Sequence, residues 1–229
     1  MNDSRTWSPK SYAVFVCGKA SSTPILAQIA EELLSEDGVA ISLQNGMGHA
    51  EVLANRLGRH RTLGGTTTHG AWRGDDGTHW VGRGNIRLGK LDGSGAEGAA
   101  AALVTKLHEA NLSPEWSDDI QRTIWVKVLL NVAITPVCAI AGVRNGALLE
   151  VPELWEQAHS AMLEAAMVAE ASGADLSEFD LEGTLRKVAG ATAQNRCSML
   201  QDVMAGRQTE IDELCGACLL YTSPSPRDS

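Results

Sequence analysis

The sequence predicts an α/β domain built on a doubly wound parallel sheet, followed by an all-helical domain. Two periodicities and one change of texture carry that reading. Residues 12–66 alternate short apolar runs with helical stripes, and from residue 118 onward the spacing is helical throughout. The residues between them are rich in glycine and short on regular pattern.

Tyr12-Ala13-Val14-Phe15-Val16-Cys17 is a continuous apolar run, as expected of a strand buried on both faces. Residues 22–34 place Ile25, Leu26, Ile29, Ala30, Leu33 and Leu34 on one helical stripe, with Pro24 tolerated in its first turn. A second strand is expected at 39–43, a short helix at 50–57 and a third strand at 61–66. Strand and helix alternating through short links is the pattern of a parallel sheet. Residues 78–81 and 86–88, separated by Gly82-Arg83-Gly84-Asn85, read as an antiparallel hairpin appended to it. Gly82, Gly84 and Gly89 invite comparison with a phosphate loop, but their spacing is not G-x-G-x-x-G and no helical pattern follows. Pro114 and Ser117-Asp118-Asp119 mark a boundary and a helix N-cap. Helices are expected over 119–135, 148–172 and 181–204, punctuated by Gly142, Gly146, Gly173 and Gly206.

Composition narrows the function classes. The formal charge is −9, from 19 basic and 28 acidic residues, without a Lys/Arg cluster. Phosphate polyanions and anionic membranes want a basic surface, so neither nucleic acid nor membrane is an expected partner. No apolar run reads as a membrane span, and the polar start does not read as a signal peptide. Five cysteines at irregular spacing suit free thiols in a reducing, cytoplasmic compartment better than a disulfide framework. Cys215-Gly216-Ala217-Cys218 could be a redox dithiol or half a zinc site, but no second pair or nearby histidine accompanies it. The six histidines show no metal-ligand spacing, and no metal is expected.

The segment that carries most chemistry is Ile120 onward, IQRTIWVKVLLNVAITP. Between Ile124 and Ile134 only Lys127 and Asn131 are polar, and at i, i+4 they share a face. A lysine in an otherwise apolar helix is either desolvated, with a pKa falling toward neutrality, or snorkels to water. On periodicity alone the second, blander reading comes first. Gln44-Asn45-Gly46-Met47-Gly48 follows a strand at the edge where doubly wound sheets bind ligands, although Asn-Gly is also an ordinary turn. Gly65-Thr66-Thr67-Thr68-His69-Gly70-Ala71 has the same ambiguity, and His69 alone reads as structural.

Taken in order, Gly18-Lys19-Ala20, QNGMG at 44–48, GTTTHGA at 65–71, W-x-K-x-x-x-N at 125–131, Arg144-Asn145-Gly146, Cys197-Ser198-Met199-Leu200-Gln201-Asp202 and Thr209-Glu210-Ile211-Asp212 resemble the ketopantoate reductase family across nearly all of residues 12–217. The resemblance implies NADPH-dependent reduction of 2-dehydropantoate to pantoate in pantothenate biosynthesis, on a Rossmann-like sheet with a helical substrate and dimerisation domain. It makes Lys127 the general acid. Asn45, Asn131, Asn145 and Ser198 would hold the substrate. Thr135, where the family usually has a second asparagine, would join them with a shorter reach. Lys19, Asn45, the backbone at Ala71, and Glu210 would contact NADPH. The partners implied are a small-molecule 2-oxo acid and, optionally, a second copy in a homodimer. A related 2-oxo-acid reductase on the same scaffold stays open.

Two expectations concern the ends. The family opens with a strand, a G-x-G-x-x-G turn and a helix, whereas this chain starts just before what resembles a later strand. Met1 therefore reads as an internal methionine, the sheet as incomplete, and the polypeptide itself as catalytically inert. Residues 218–229 resemble translated sequencing-adapter read-through, foreign to the fold. The domains expected are thus 1–117, a partial dinucleotide-binding α/β domain; 118–217, helical; and 218–229, a non-native tail without core contacts.

Overall fold

The computed structural model describes residues 10–74 and 76–222, which form two compact units. The first comprises Met1–Gln44 and Gly48–Ile124; the second comprises Trp125–Ser229 together with Asn45–Met47.

In the first unit, β1 (Ser11–Val16), β2 (Leu34–Ser42), β3 (Thr62–Thr67), β6 (Ile86–Lys90) and β7 (Pro114–Trp116) form one sheet in the order β1-β2-β3-β6-β7. β1, β2 and β3 run parallel, β6 is antiparallel to β3, and β7 is parallel to β6. The period of two along β2 divides the core. Val39 and Ile41 join Leu63, Ile86 and Leu88 against Ala100, Leu103 and Leu107 of α3 (Gly98–Glu109). Ala40 joins Val16 on the other face, against Ala27 and Ala30 of α1 (Thr23–Leu33) and Leu53 and Leu57 of α2 (His49–Leu57). Each fully buried leucine contributes about 1.5–3 kcal/mol to this packing. Helices thus cover both faces, as the doubly wound pattern requires.

The expected hairpin is corrected. Residues 78–81 lie in β5 (Gly77–Gly82), which pairs with β4 (Gly70–Gly74) in a separate two-stranded sheet. The tight turn, at Asp76, lies between β4 and β5, and Arg83-Gly84-Asn85 connects β5 to β6. Ile86 and Leu88 are buried in the main core, which fixes β6 beside β3 rather than beside β5.

The second unit is helical. α4 (Ile120–Ala141) begins in the first unit and continues through the second. The expected boundary at 117/118 therefore falls just ahead of a helix whose opening turn serves the sheet: Ile120 packs with Ala50, Ala54 and Leu91. The helix also runs past Pro136, which removes one N–H from the ladder without ending it. α5 (Ala147–Glu150), α6 (Pro152–Ala171), α7 (Leu181–Ala191) and α8 (Ser198–Met204) follow. Trp125, Val128, Leu129 and Ala133 of α4 are buried, as are Leu148, Ala158, Met162 and Leu185 of the helices that follow.

Contrary to the composition-based expectation, α4 is long and apolar enough to cross a membrane by length and composition. Its buried side chains identify it instead as the core helix of a soluble protein. A lysine at mid-span would also cost about 2.5–3.5 kcal/mol in a bilayer.

The tail boundary is corrected as well. A π-helical turn at Asp212–Gly216 leads into α9 (Ala217–Thr222), where Cys218 is buried. Cys218 and Leu219 line an apolar cavity of about 670 Å³ with Val132, Val168 and Cys215. Burial raises the thiol pKa of both Cys215 and Cys218, so the C-x-x-C is not a reactive thiolate pair. The rest of the expected tail, residues 223–229, lies outside the described residues.

Candidate active site

Lys127 is partly buried on α4, and its surroundings hold its pKa down from the ordinary 10.5 to about 8. Desolvation is the dominant cause, and the negative charge of Glu210 opposes it. These surroundings suit the desolvated reading of Lys127 better than the snorkelling one. Between about pH 8 and 10.5 the unfolded chain binds this proton and the native chain does not. The stability cost of burying Lys127 is thus fully present below pH 8 and relieved as pH rises toward 10.5.

Glu210 also meets Asn45, whose Nδ2 donates to Glu210 Oε2 at 3.5 Å. Asn45 arrives through the three residues that the sheet unit lends to the helical one. Gly46, at φ +94°, passes so close to the Glu213 carbonyl that a Cβ there would lie 2.6 Å from its oxygen. The loop is therefore seated against residues 210–213, and Lys127, Asn45 and Glu210 form one cluster of ammonium, carboxamide and carboxylate.

A second cluster is organised by residues 192–198. Cys197 caps α8, its Sγ accepting from the Leu200 N–H at 3.4 Å and donating to the Thr135 carbonyl at 3.5 Å. Burial raises its pKa and pushes that of neighbouring Cys138 up to about 12, so both remain protonated thiols. Ser198 follows directly and is exposed. Thr135 Oγ1 donates to the Asn131 carbonyl at 2.9 Å, so its hydroxyl can accept from a ligand but not donate to one. Asn145 is buried, with Nδ2 donating to Thr192 Oγ1 at 2.9 Å. Thr192 spends its own proton on the Val188 carbonyl, which fixes the orientation of the Asn145 amide. Asn145 Oδ1 is then a buried acceptor without a partner among the described residues. Asn131, Thr135, Asn145 and Ser198 are thereby all tied to one segment. Periodicity gave no sign of the tying residues, Cys197 and Thr192.

Lys19 and Ala71 belong to the other unit. Lys19 is exposed where β1 passes into a 3-10 turn at Ala20–Ser22, and Ala71 is exposed on β4, paired with Trp80. His69 is structural: its Nδ1 accepts from the Gly84 N–H at 3.0 Å, and Nε2 donates to the Leu112 carbonyl at 3.1 Å. Among the described residues no group of His, Cys, Asp or Glu could hold a metal ion.

Sequence reading also missed one glycine motif. Gly93-Ser94-Gly95-Ala96-Glu97-Gly98 has the G-x-G-x-x-G spacing and joins β6 to α3. It does not fit a pyrophosphate. Asp92 Oδ1 already takes the Ser94 N–H, at 3.0 Å, and that bond lowers the Asp92 pKa. With Glu97 beside it, the turn presents carboxylates where a phosphate needs amides.

A sheet unit followed by a helical unit that carries a desolvated lysine beside a carboxylate defines a class of protein equipped for proton transfer. Comparison with known proteins specifies it. Residues 2–93 match the family described as ketopantoate reductase PanE/ApbA, and residues 119–221 match its C-terminal counterpart. The 2-dehydropantoate 2-reductase of Archaeoglobus fulgidus is 39% identical over 204 residues, covering 89% of this chain and 67% of the relative. Among solved structures, the 2-dehydropantoate 2-reductase of Geobacter metallireducens GS-15 aligns with a TM-score of 0.85 at 26% identity, over 93% of this chain and 71% of that one. A D-mandelate dehydrogenase in complex with NADH aligns with a TM-score of 0.84 at 25% identity, over 93% of this chain and 72% of that one. The chain belongs to the ketopantoate reductase family, and it spans about two thirds of the length of the relative it matches.

Proposed function

We propose that this protein reduces 2-dehydropantoate to pantoate with NADPH, in the cytoplasm, with Lys127 as the general acid. The observation that carries the reading is the lysine held at about pKa 8 beside Glu210, which in turn is paired with Asn45. NADPH, when bound, supplies a hydride to the ketone carbon. The oxygen of that ketone gains negative charge as the C–O double bond becomes single, and Lys127 gives it the proton that completes the alcohol. A lysine with a pKa near 8 is mostly charged at neutral pH yet releases its proton more readily than an exposed one.

The other roles rest on the family resemblance and the two clusters. Asn131, Asn145, Ser198 and Thr135 hold the carboxylate and hydroxyl of the substrate, the buried Asn145 Oδ1 accepting from the hydroxyl. The cofactor contacts are Lys19 and the Ala71 backbone in the first unit, with Asn45 and Glu210 in the second. The second unit fits a nicotinamide and its ribose, since a carboxamide and a carboxylate stand beside the proton donor. A homodimer is part of the proposal, checked by sedimentation.

The test is oxidation of NADPH by the purified protein on addition of 2-dehydropantoate. The competing outcome is the inertness expected of the polypeptide itself, which spans about two thirds of its relative's length: failure to oxidise NADPH with any 2-oxo acid would sink the reading of this chain as a reductase in favour of that one. One observation favours a related 2-oxo acid instead: the Thr135 proton is committed to its own helix, which removes a donor from the substrate cluster. Faster turnover with an aryl 2-oxo acid than with 2-dehydropantoate would select that alternative. In either case reduction should slow as pH rises through about 8, where Lys127 loses its proton. A rate constant in that direction flat to pH 10 would exclude Lys127 as the acid.

A further inference from the structure

At the C-terminal ends of the parallel strands β1 and β2 lies a closed polar network whose members have no role in the chemistry above. Gln44, Thr23 and His49 are all buried, at 8%, 2% and 8% exposure. Burying three polar side chains together costs free energy unless each is satisfied, so the network has a structural demand to meet. Gln44 Nε2 donates to the Gly18 carbonyl at 2.9 Å and to Thr23 Oγ1 at 2.9 Å, with the Lys19 carbonyl at 3.4 Å. Its Oε1 accepts from Ser42 Oγ at 3.3 Å. Thr23 donates its proton to the Ala20 carbonyl at 2.7 Å. Its oxygen must therefore accept from His49, which places the imidazole proton on Nδ1 at 3.2 Å.

The consequence is local and directional. Three successive carbonyls, those of Gly18, Lys19 and Ala20, are held by the side chains of Gln44 and Thr23. The same turn is closed by the Ser22 N–H on the Lys19 carbonyl at 2.9 Å. Thr23 and His49 open α1 and α2, so one network fixes the start of both helices and the turn that presents Lys19. Ligands of doubly wound sheets bind outside these strand ends.

We infer that Gln44 is a positioning residue for the dinucleotide, fixing through its carboxamide and Thr23 the Gly18-Lys19-Ala20 turn from which Lys19 meets the cofactor. The inference rests on the proposed function. Gln44→Glu keeps the shape and replaces a donor by an oxygen facing carbonyl oxygens; Thr23→Val deletes the hydroxyl, and Thr23→Ser restores it.

Losing one buried hydrogen bond of this kind should raise the KM for NADPH by about tenfold in Gln44→Glu and Thr23→Val. The kcat should stay within about threefold, because the hydrogen bonds of the network include neither Lys127 nor Glu210. Thr23→Ser should behave as the parent. Hydrogen exchange of the Ser22 amide should accelerate by about tenfold or more in Gln44→Glu, since the turn it closes is released. An unchanged KM in both damaging variants overturns the inference, even with faster Ser22 exchange. So does a fall in kcat at constant KM, or a Thr23→Ser variant as impaired as Thr23→Val. If the parent itself does not oxidise NADPH, the proposed function fails, and with it the positioning role; Ser22 exchange then reports separately whether Gln44 holds the turn.

Discussion

Replacing Lys127 by alanine lowers kcat by about two or more orders of magnitude, the usual loss when a general acid is removed. The size follows from the position of the group. Lys127 is the one ammonium set among the apolar side chains of α4, where desolvation dominates its pKa, and water does not readily substitute for a donor at a desolvated position. Lys127→Arg should be nearly as slow, because a guanidinium stays protonated at every working pH and cannot deliver a proton. Both variants should retain NADPH affinity close to the parent value, since the role assigned is toward the ketone oxygen. Steady-state rates and nicotinamide fluorescence titrations measure the two effects separately. Near-normal turnover in Lys127→Ala would remove Lys127 from the mechanism.

Gly46→Ala should be the most damaging substitution of a residue without side-chain chemistry. A left-handed φ of +94° costs a residue bearing a Cβ about 1–3 kcal/mol. The new Cβ would also lie 2.6 Å from the Glu213 carbonyl oxygen, a backbone atom that no rotamer change can move away. The loop must then lift from residues 210–213 and carry Asn45 away from Glu210. A displacement of about 1 Å at a reacting centre costs on the order of 100-fold in rate. Gly48→Ala is the control: its φ is +82°, but nothing lies within 4 Å of its Cβ, so backbone strain alone remains. Denaturant unfolding followed by tryptophan fluorescence, together with kcat/KM, should rank Gly46→Ala well below Gly48→Ala. Equal losses in the two variants would mean that the contact with Glu213 carries no weight.

The parts of the fold legible in the sequence are those that a single period dictates. β1 is a continuous apolar run and α1 an apolar stripe, and both lie within a residue or so of where the sequence places them; the apolar half of β2 marks that strand but not its start at Leu34, and α4 runs on past 135 to Ala141. α3 escaped notice because its buried stripe, Ala100, Leu103 and Leu107, opens in a run of glycine and alanine with little contrast. The pairing of β5 was misjudged for a different reason. Strands this short do not encode their partner, and the burial of Ile86 and Leu88 in the main sheet is a tertiary fact. In the site, the i, i+4 spacing of Lys127 and Asn131 could be read directly. Asn45 and Glu210 could not be joined by any periodicity, being 165 residues apart, and only the family resemblance brought them together. Cys218 was assigned to a foreign tail on resemblance, yet its side chain is buried beside the cavity under α6.

The separation between Asn45 and Glu210 also sets an order in time. A ribosome adding about 5–20 residues per second takes roughly 10–30 s to travel from one to the other. The residues that make up the sheet unit end at Ile124, so all of them are made before Glu210. The helical unit cannot be finished until residues 210–213 emerge and seat the waiting loop. The unit that holds Lys127 is therefore the last to be completed. Synthesis halted before Glu210 would release a chain in which Lys127 lacks the carboxylate charge that offsets its desolvation.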